Sequence, residues 1–155
     1  MFGKRRDGAW FEEQVRSLKN TMFYVALSML HNEWDAEDAA ANAIWKAYEN
    51  LDSLQSREKF RTWILKILQN ECVDLMKRNS REVPQEWEVS EDFHPPDVDL
   101  WNALKELGEK DRVALLLFYL EGYKIREIAE ILEEPVGTVK SRLSRTRKGL
   151  REVLK

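Results

Sequence analysis

The side chains best equipped for chemistry lie near the end of this 155-residue chain, and they suit hydrogen bonding and charge neutralisation rather than bond making. Between residues 138 and 155, seven bases (Lys140, Arg142, Arg145, Arg147, Lys148, Arg151 and Lys155) stand against one acid, Glu152. At about 100° per residue, Val139, Leu143, Thr146, Leu150 and Leu154 share one narrow helical stripe. Ser141, Ser144, Arg145 and Lys148 fall opposite, with Lys140 and Arg151 beside them and Arg142 and Arg147 on the flanks. A merely solvated basic face usually carries glutamates one turn from its cations, and here that compensation is nearly absent. An arginine fork matches guanine O6 and N7, and short hydroxyls between long cations let a helix approach a major groove closely. Nothing comparable exists for catalysis. There is no Gly-rich phosphate loop and no nucleophile–base pairing. His31 and His94 lie far apart, and the single cysteine, Cys72, can form neither an internal disulfide nor a thiolate metal site. The expectation is no catalytic residue, no metal and no cofactor.

The elements that must position this face are helical. Ile125, Ile128, Ala129 and Leu132 make the apolar side of a short helix, Glu133-Glu134-Pro135 breaks it, and a long helix resumes near Pro135 or Val136. Two helices joined by a tight break, the second rich in bases, outline a helix-turn-helix. Ahead of it, Leu100, Leu104 and Leu107 open a short helix ending near Gly108. Asp111 is then expected to cap another, through Val113, Leu116, Leu117 and Leu120, that stops at Gly122.

Residues 80–99 hold three of the four prolines, and one base against seven acids, so they read as an extended linker. Trp87 and Phe93 within it call for a surface to meet. Upstream, Trp10, Phe11, Val15, Leu18 and Met22 predict a first helix reaching about Leu30. A second is expected to be capped by Asp35, with Ala40, Ala43, Ile44, Ala47, Tyr48 and Leu51 as its packing face. A third, over 60–78, is expected to bury Phe60, Trp63, Ile64, Ile67, Leu68 and Leu75. No alternating strand is credible, and the longest apolar run, residues 114–120, is far short of the roughly 20 needed to cross a bilayer. The expectation is a cytoplasmic chain without membrane insertion. Its formal charge of -3 argues against bulk coating of nucleic acid, but that average conceals a basic terminal helix and an acidic linker.

Ile128-Ala129-Glu130-Ile131-Leu132, Pro135-Val136-Gly137-Thr138-Val139-Lys140-Ser141-Arg142-Leu143 and Arg145-Thr146-Arg147-Lys148-Gly149-Leu150 together resemble region 4 of bacterial sigma factors. The similarity is strongest to the extracytoplasmic-function (ECF) group of the sigma-70 family. Asp35-Ala36-Glu37-Asp38 with Lys46-Ala47-Tyr48 resembles the core-binding part of region 2. Phe60-Arg61-Thr62-Trp63-Ile64-Leu65-Lys66-Ile67, Asn70, Asp74 and Lys77-Arg78 resemble its promoter-melting part. The resemblance implies an all-α chain of two small helical domains joined by a flexible acidic linker. These are a region 2 bundle over 1–79, a linker over 80–99, and over 100–155 a region 4 helix-turn-helix, a winged-helix-like four-helix domain. It implies a non-enzymatic initiation factor, monomeric when free. Its partners would be core RNA polymerase (the β′ coiled-coil and the β flap), promoter DNA and an anti-sigma factor.

The resemblance also assigns roles. Lys140, Ser141, Ser144 and Arg145 would reach base edges of the minus-thirty-five element, and Thr138, Arg142, Arg147 and Lys148 its phosphates. Arg61, Thr62, Lys66, Gln69, Asn70 and Lys77 would contact the melted minus-ten strand. The loop over 51–59 would capture a flipped base, with Asn50, Ser53, Gln55 and Ser56 all open as pocket residues. Trp63 is expected in the core. ECF proteins commonly show Gln and an acid ahead of an aromatic in the core-binding helix, where this chain has Ala41-Asn42-Ala43-Ile44-Trp45. Polymerase docking is therefore expected to lean on Asp38, Asn42, Trp45 and Glu49. A stand-alone helix-turn-helix regulator is the alternative; it would leave the block over 60–78 without a role.

Overall fold

The computed structural model describes residues 4–78, 87, 89–91, 93–95 and 97–153. It is all-α, with no β-strand among the described residues, and divides into two compact units, Met1–Trp87 and Glu88–Lys155. That division falls inside the segment read as a linker.

The first unit is three helices: α1 (Lys4–Leu30), α2 (Glu33–Glu49) and α3 (Phe60–Arg78). Its core is Met22, Val25, Ala26 and Leu27 of α1, the small residues Ala36, Ala39, Ala43 and Ala47 of α2, and Phe60, Ile64, Leu65 and Leu68 of α3. The alanines let helix axes approach closely. His31 ends α1 in a left-handed conformation (φ 60°), its N–H donating to Leu27 O. Trp87 stacks on the His31 ring at 3.8 Å, so this aromatic of the acidic segment has a surface. The cap of α2 is Asn32 rather than the expected Asp35. Asn32 is extended, and its Oδ1 accepts from Asp35 N–H at 2.9 Å.

The second unit holds α4 (Val98–Leu104), α5 (Glu109–Leu115, continued by a π turn over Leu116–Leu120), α6 (Ile125–Leu132) and α7 (Val136–Val153). These four helices form the expected helix-turn-helix unit, with no strand among the described residues. Two details differ from expectation. α4 starts at Val98, because Asp97 caps it through Leu100 N–H. The cap of α5 is Gly108, and Asp111 lies inside its first turn, free to pair elsewhere. Phe93 packs on Trp101, its ring centroid 5.4 Å away. Gly122 (φ +69°) reverses the chain after the π turn, a conformation glycine adopts without strain.

On α3 the buried arc is rotated from the expected one. Leu65, Glu71, Cys72 and Thr62 are buried, whereas Trp63 and Ile67 are only half-buried. The reason is that α3 packs against α1 and α2 together, which turns its inner arc by about 60° relative to the most apolar stripe.

Candidate nucleic-acid interface

The helix-turn-helix is built by α6, a three-residue turn and α7. Glu127 accepts from Lys124 N–H at 3.0 Å and starts α6; Glu133 ends it in a left-handed conformation (φ 55°). Val139, Leu143, Thr146 and Leu150 are buried along one side of α7. Lys140, Ser141, Ser144, Arg145 and Lys148 are exposed on the other, with Thr138 half-buried at its start. Lys140, Ser144, Arg147, Lys148 and Arg151 line one open recess of about 270 Å³. Arg147 is steadied by aromatic faces, its Cζ lying 5.6 Å from the Tyr119 ring and 5.9 Å from that of Phe118.

Arg142 departs from the outward set. Its side chain is only 19% exposed and forks into Glu134, Nε donating to Oε1 at 2.8 Å, while Nη1 donates to Asp111 Oδ1 at 2.7 Å. Both acids hold the guanidinium charged, well above even the usual arginine range. Arg142 thus ties the recognition helix to the turn and to α5 instead of projecting to solvent. Lys110 adds a longer contact to Glu134 at 3.6 Å.

In the first unit a cavity of about 330 Å³ is lined by Lys46, Asn50, Ser53, Trp63, Ile67, Asn70, Glu71 and Asp74. Its chemistry is mixed: a half-buried indole and an aliphatic side chain for stacking, and amide and hydroxyl groups for hydrogen bonds. Lys46 pairs with the nearly buried Glu71, whose hydrogen bond and charge raise the lysine pKa and keep it cationic. Of the four loop candidates, Asn50 and Ser53 line this cavity. Gln55 is exposed and accepts a long contact from Lys59 Nζ (3.5 Å), and Ser56 is half-buried elsewhere in the loop. Asn70 and Lys77 are exposed, and Arg61, Lys66 and Gln69 are intermediate. Thr62 faces the interior at 6% exposure, because the rotated inner arc of α3 takes it in. Trp63, expected in the core, is instead a wall of the cavity.

The outer face of α2 carries all four residues expected to dock a protein: Asp38, Asn42, Trp45 and Glu49 are exposed. Trp34 joins them, one turn ahead of Asp38, at 76% exposure; Trp45 is 62% exposed. Trp34 lies on the same helical arc, and it was absent from the expected set. Its spacing of four from Asp38 and eleven from Trp45 is a signal that the sequence already carried.

The family model described as Sigma-70 region 2 matches residues 14–82, and the one described as Sigma-70, region 4 matches residues 97–150. The chain is 31% identical to the ECF RNA polymerase sigma factor SigW of Bacillus subtilis, an alignment covering 98% of this chain and 92% of that relative. It is also 31% identical to the RNA polymerase sigma factor SigV of the same organism, over 86% of this chain and 84% of that one. A solved structure, that of the sigma factor RpoE in complex with the anti-sigma factor NepR from Bartonella quintana, matches with a TM-score of 0.76 at 25% identity. The match covers 93% of this chain and 96% of that one.

Proposed function

Because the chain belongs to the extracytoplasmic-function group of the sigma-70 family, we propose a division of its promoter-reading work among particular residues of the two units. The protein is an RNA polymerase sigma factor for promoter-specific initiation; the residue roles are our reading. Lys140, Ser141, Ser144 and Arg145 read base edges of the minus-thirty-five element from the major groove, while Thr138, Arg147 and Lys148 hold phosphates. The cavity bounded by Asn50, Ser53, Trp63, Ile67 and Asn70 receives an unpaired base of the minus-ten element. Arg61, Lys66, Gln69 and Lys77 steady the strand beside it. The outer face of α2 docks the β′ coiled-coil of core polymerase, and the second unit meets the β flap. The protein does no chemistry of its own, acts in the cytoplasm where the polymerase is, and is held in reserve by an anti-sigma factor.

The observation that carries this reading is the exposed row Lys140, Ser141, Ser144 and Arg145 opposite the buried stripe of α7, in which Arg145 makes only long contacts, to Ser141 O at 3.4 Å and to Asp111 at 4.0 Å. Run-off transcription with purified core polymerase and no other factor tests it: a promoter-specific transcript is expected, whereas a stand-alone regulator would give none. Within that assay, Arg145→Ala should cost about 1–3 kcal/mol of discrimination at a single base pair. Lys148→Ala should instead weaken binding to all sequences alike and lower the salt slope by about 1. Equal loss on matched and mismatched promoters for Arg145→Ala would remove its base-reading role.

A further inference from the structure

Arg57 stands in the loop between α2 and α3, yet its partners lie at the start of the chain. Its Nη2 donates to Asp7 Oδ1 at 2.9 Å, and its Cζ lies 4.7 Å from the centroid of the Trp10 indole. Asp7 is only 4% exposed, and its second oxygen, Oδ2, is buried and accepts no hydrogen bond among the described residues. A first-turn acid serves the helix dipole well enough from the surface, so the dipole does not explain why this one is buried. A buried carboxylate is tolerated where a cation meets it, and here the cation comes from the loop.

The loop has few other ties. Its two single-turn 3-10 helices, Leu51–Ser53 and Arg57–Lys59, have no side-chain caps, and only Leu51 and Leu54 are buried between Asn50 and Phe60. The contact also continues inward as a chain of rings. Trp10 meets Phe60 edge-on at 5.2 Å, Phe60 lies 5.9 Å from Trp63, and Trp63 is a wall of the cavity that Asn50 and Ser53 border. One cluster therefore holds the far end of the loop and the indole wall at once.

We propose that Asp7, Trp10 and Arg57 form a clamp through which α1 positions the base-capturing loop. Arg57 and Asp7 are thus positioning residues for promoter opening that touch no DNA. The proposal rests on the reading of the cavity as the minus-ten base site. With the clamp closed, Asn50 and Ser53 are ordered before the base arrives, so capture does not have to freeze the loop. With it open, the cavity keeps its walls but loses its fixed rim.

The test uses the full chain reconstituted with core polymerase and a promoter carrying 2-aminopurine in the minus-ten element, whose fluorescence rises as the base unstacks. Arg57→Gln and Asp7→Asn should each slow opening on the order of tenfold, and the double variant should be no slower than either single. Affinity for core polymerase, which depends on a folded first unit, should stay at the wild-type value for all three. Asn70→Ala reports on the cavity independently. If Asn70→Ala slows opening while Arg57→Gln opens normally, the clamp is overturned and the cavity reading stands. If neither slows opening, both fall. Additive losses in the double variant would mean that Asp7 and Arg57 act separately, which also overturns the clamp.

Discussion

Arg142→Ala is expected to destabilise the helix-turn-helix unit by about 2–3 kcal/mol and to remove promoter-specific transcription without removing any DNA contact. Deleting one member of a buried ion pair costs about 3–5 kcal/mol, because the partner is left charged and unpaired. The figure is reduced here because Arg142 and Asp111 retain 19% and 23% exposure. Glu134 in the turn and Asp111 in α5 both lose their main partner, keeping only the longer contacts of Lys110 (3.6 Å) and Arg145 (4.0 Å). Both Arg142 contacts tether α7 to the turn and to α5, so their loss is expected to shift the outward side chains that α7 carries.

The pair has an acid signature as well. The hydrogen bond from Arg142 holds the Glu134 carboxyl below its ordinary value, against the opposing effect of burial. A depressed carboxylate contributes stability that is complete above its unfolded pKa, about 4.3, and is lost as pH falls through the lower folded value. The wild-type unit should therefore lose this contribution on acidification below about pH 4.3, and the Arg142→Ala curve should be flatter over the same window. Hydrogen exchange of α7 amides in the full chain, followed against pH, measures both effects. Unchanged protection together with a reduced salt slope in DNA binding would return Arg142 to the phosphate-contacting set. Lys148→Ala, exposed on the same helix, serves as the control that should not alter protection.

What separated legible residues from illegible ones was whether one helix sufficed to place them. The outward row of α7 follows from periodicity within a single element, as does the exposure of Asp38, Asn42, Trp45 and Glu49 on α2. Arg142 lies at the edge of the α7 stripe, where periodicity cannot decide; its fate depends on acids eight and thirty-one residues away. Thr62 and Trp63 exchanged places for a related reason. The most apolar stripe of α3 fixes its buried side only when one neighbour packs on it, and α3 has two. The spare hydrophobic surface, Trp63 and Ile67, becomes the wall of a cavity. Apolar residues that a second packing contact leaves partly open are good material for binding an aromatic base. The tie between Asp7 and Arg57 spans fifty residues and had no local signature at all.

The acidic segment was legible in composition but not in contact. Trp87 and Phe93 each meet a surface, but each meets one on its own unit: His31 for the first and Trp101 for the second. The charge average of -3 that argues against nucleic-acid binding is thus made of parts with different tasks. In the proposed reading the basic row on α7 meets DNA only at short range, since exposed charges separated by more than about 8 Å are largely screened at physiological salt. We therefore expect tight, specific promoter binding only when polymerase holds the protein on the template.

That dependence places the second large effect on α2. Trp45→Ala and Trp34→Ala should each weaken binding to core polymerase by about 30-fold or more, the loss typical of a buried aromatic anchor. In the free protein both indoles are mostly solvated, at 62% and 76% exposure, so they contribute little to the fold that alanine would remove. Two indoles left exposed on one helical arc suit the proposed protein interface. The two rings stand eleven residues apart, about 16 Å along the helix, with Asp38 and Asn42 between them and Glu49 beyond. Such an array suits a long, rigid, basic partner such as one face of a coiled-coil, gripped at two points with the acids steering its approach. Glu49→Gln should accordingly slow association and flatten its salt dependence, while the tryptophan variants should speed dissociation. Asn42→Ala combined with Trp45→Ala should cost little more than Trp45→Ala alone, because the anchor, not the amide, supplies the buried area. The measurement is competition for fluorescently labelled core enzyme, with thermal unfolding of each variant as the control. Normal affinity in a Trp34→Ala, Trp45→Ala double variant would show that polymerase docks on another face, since no other exposed pair of indoles is available among the described residues.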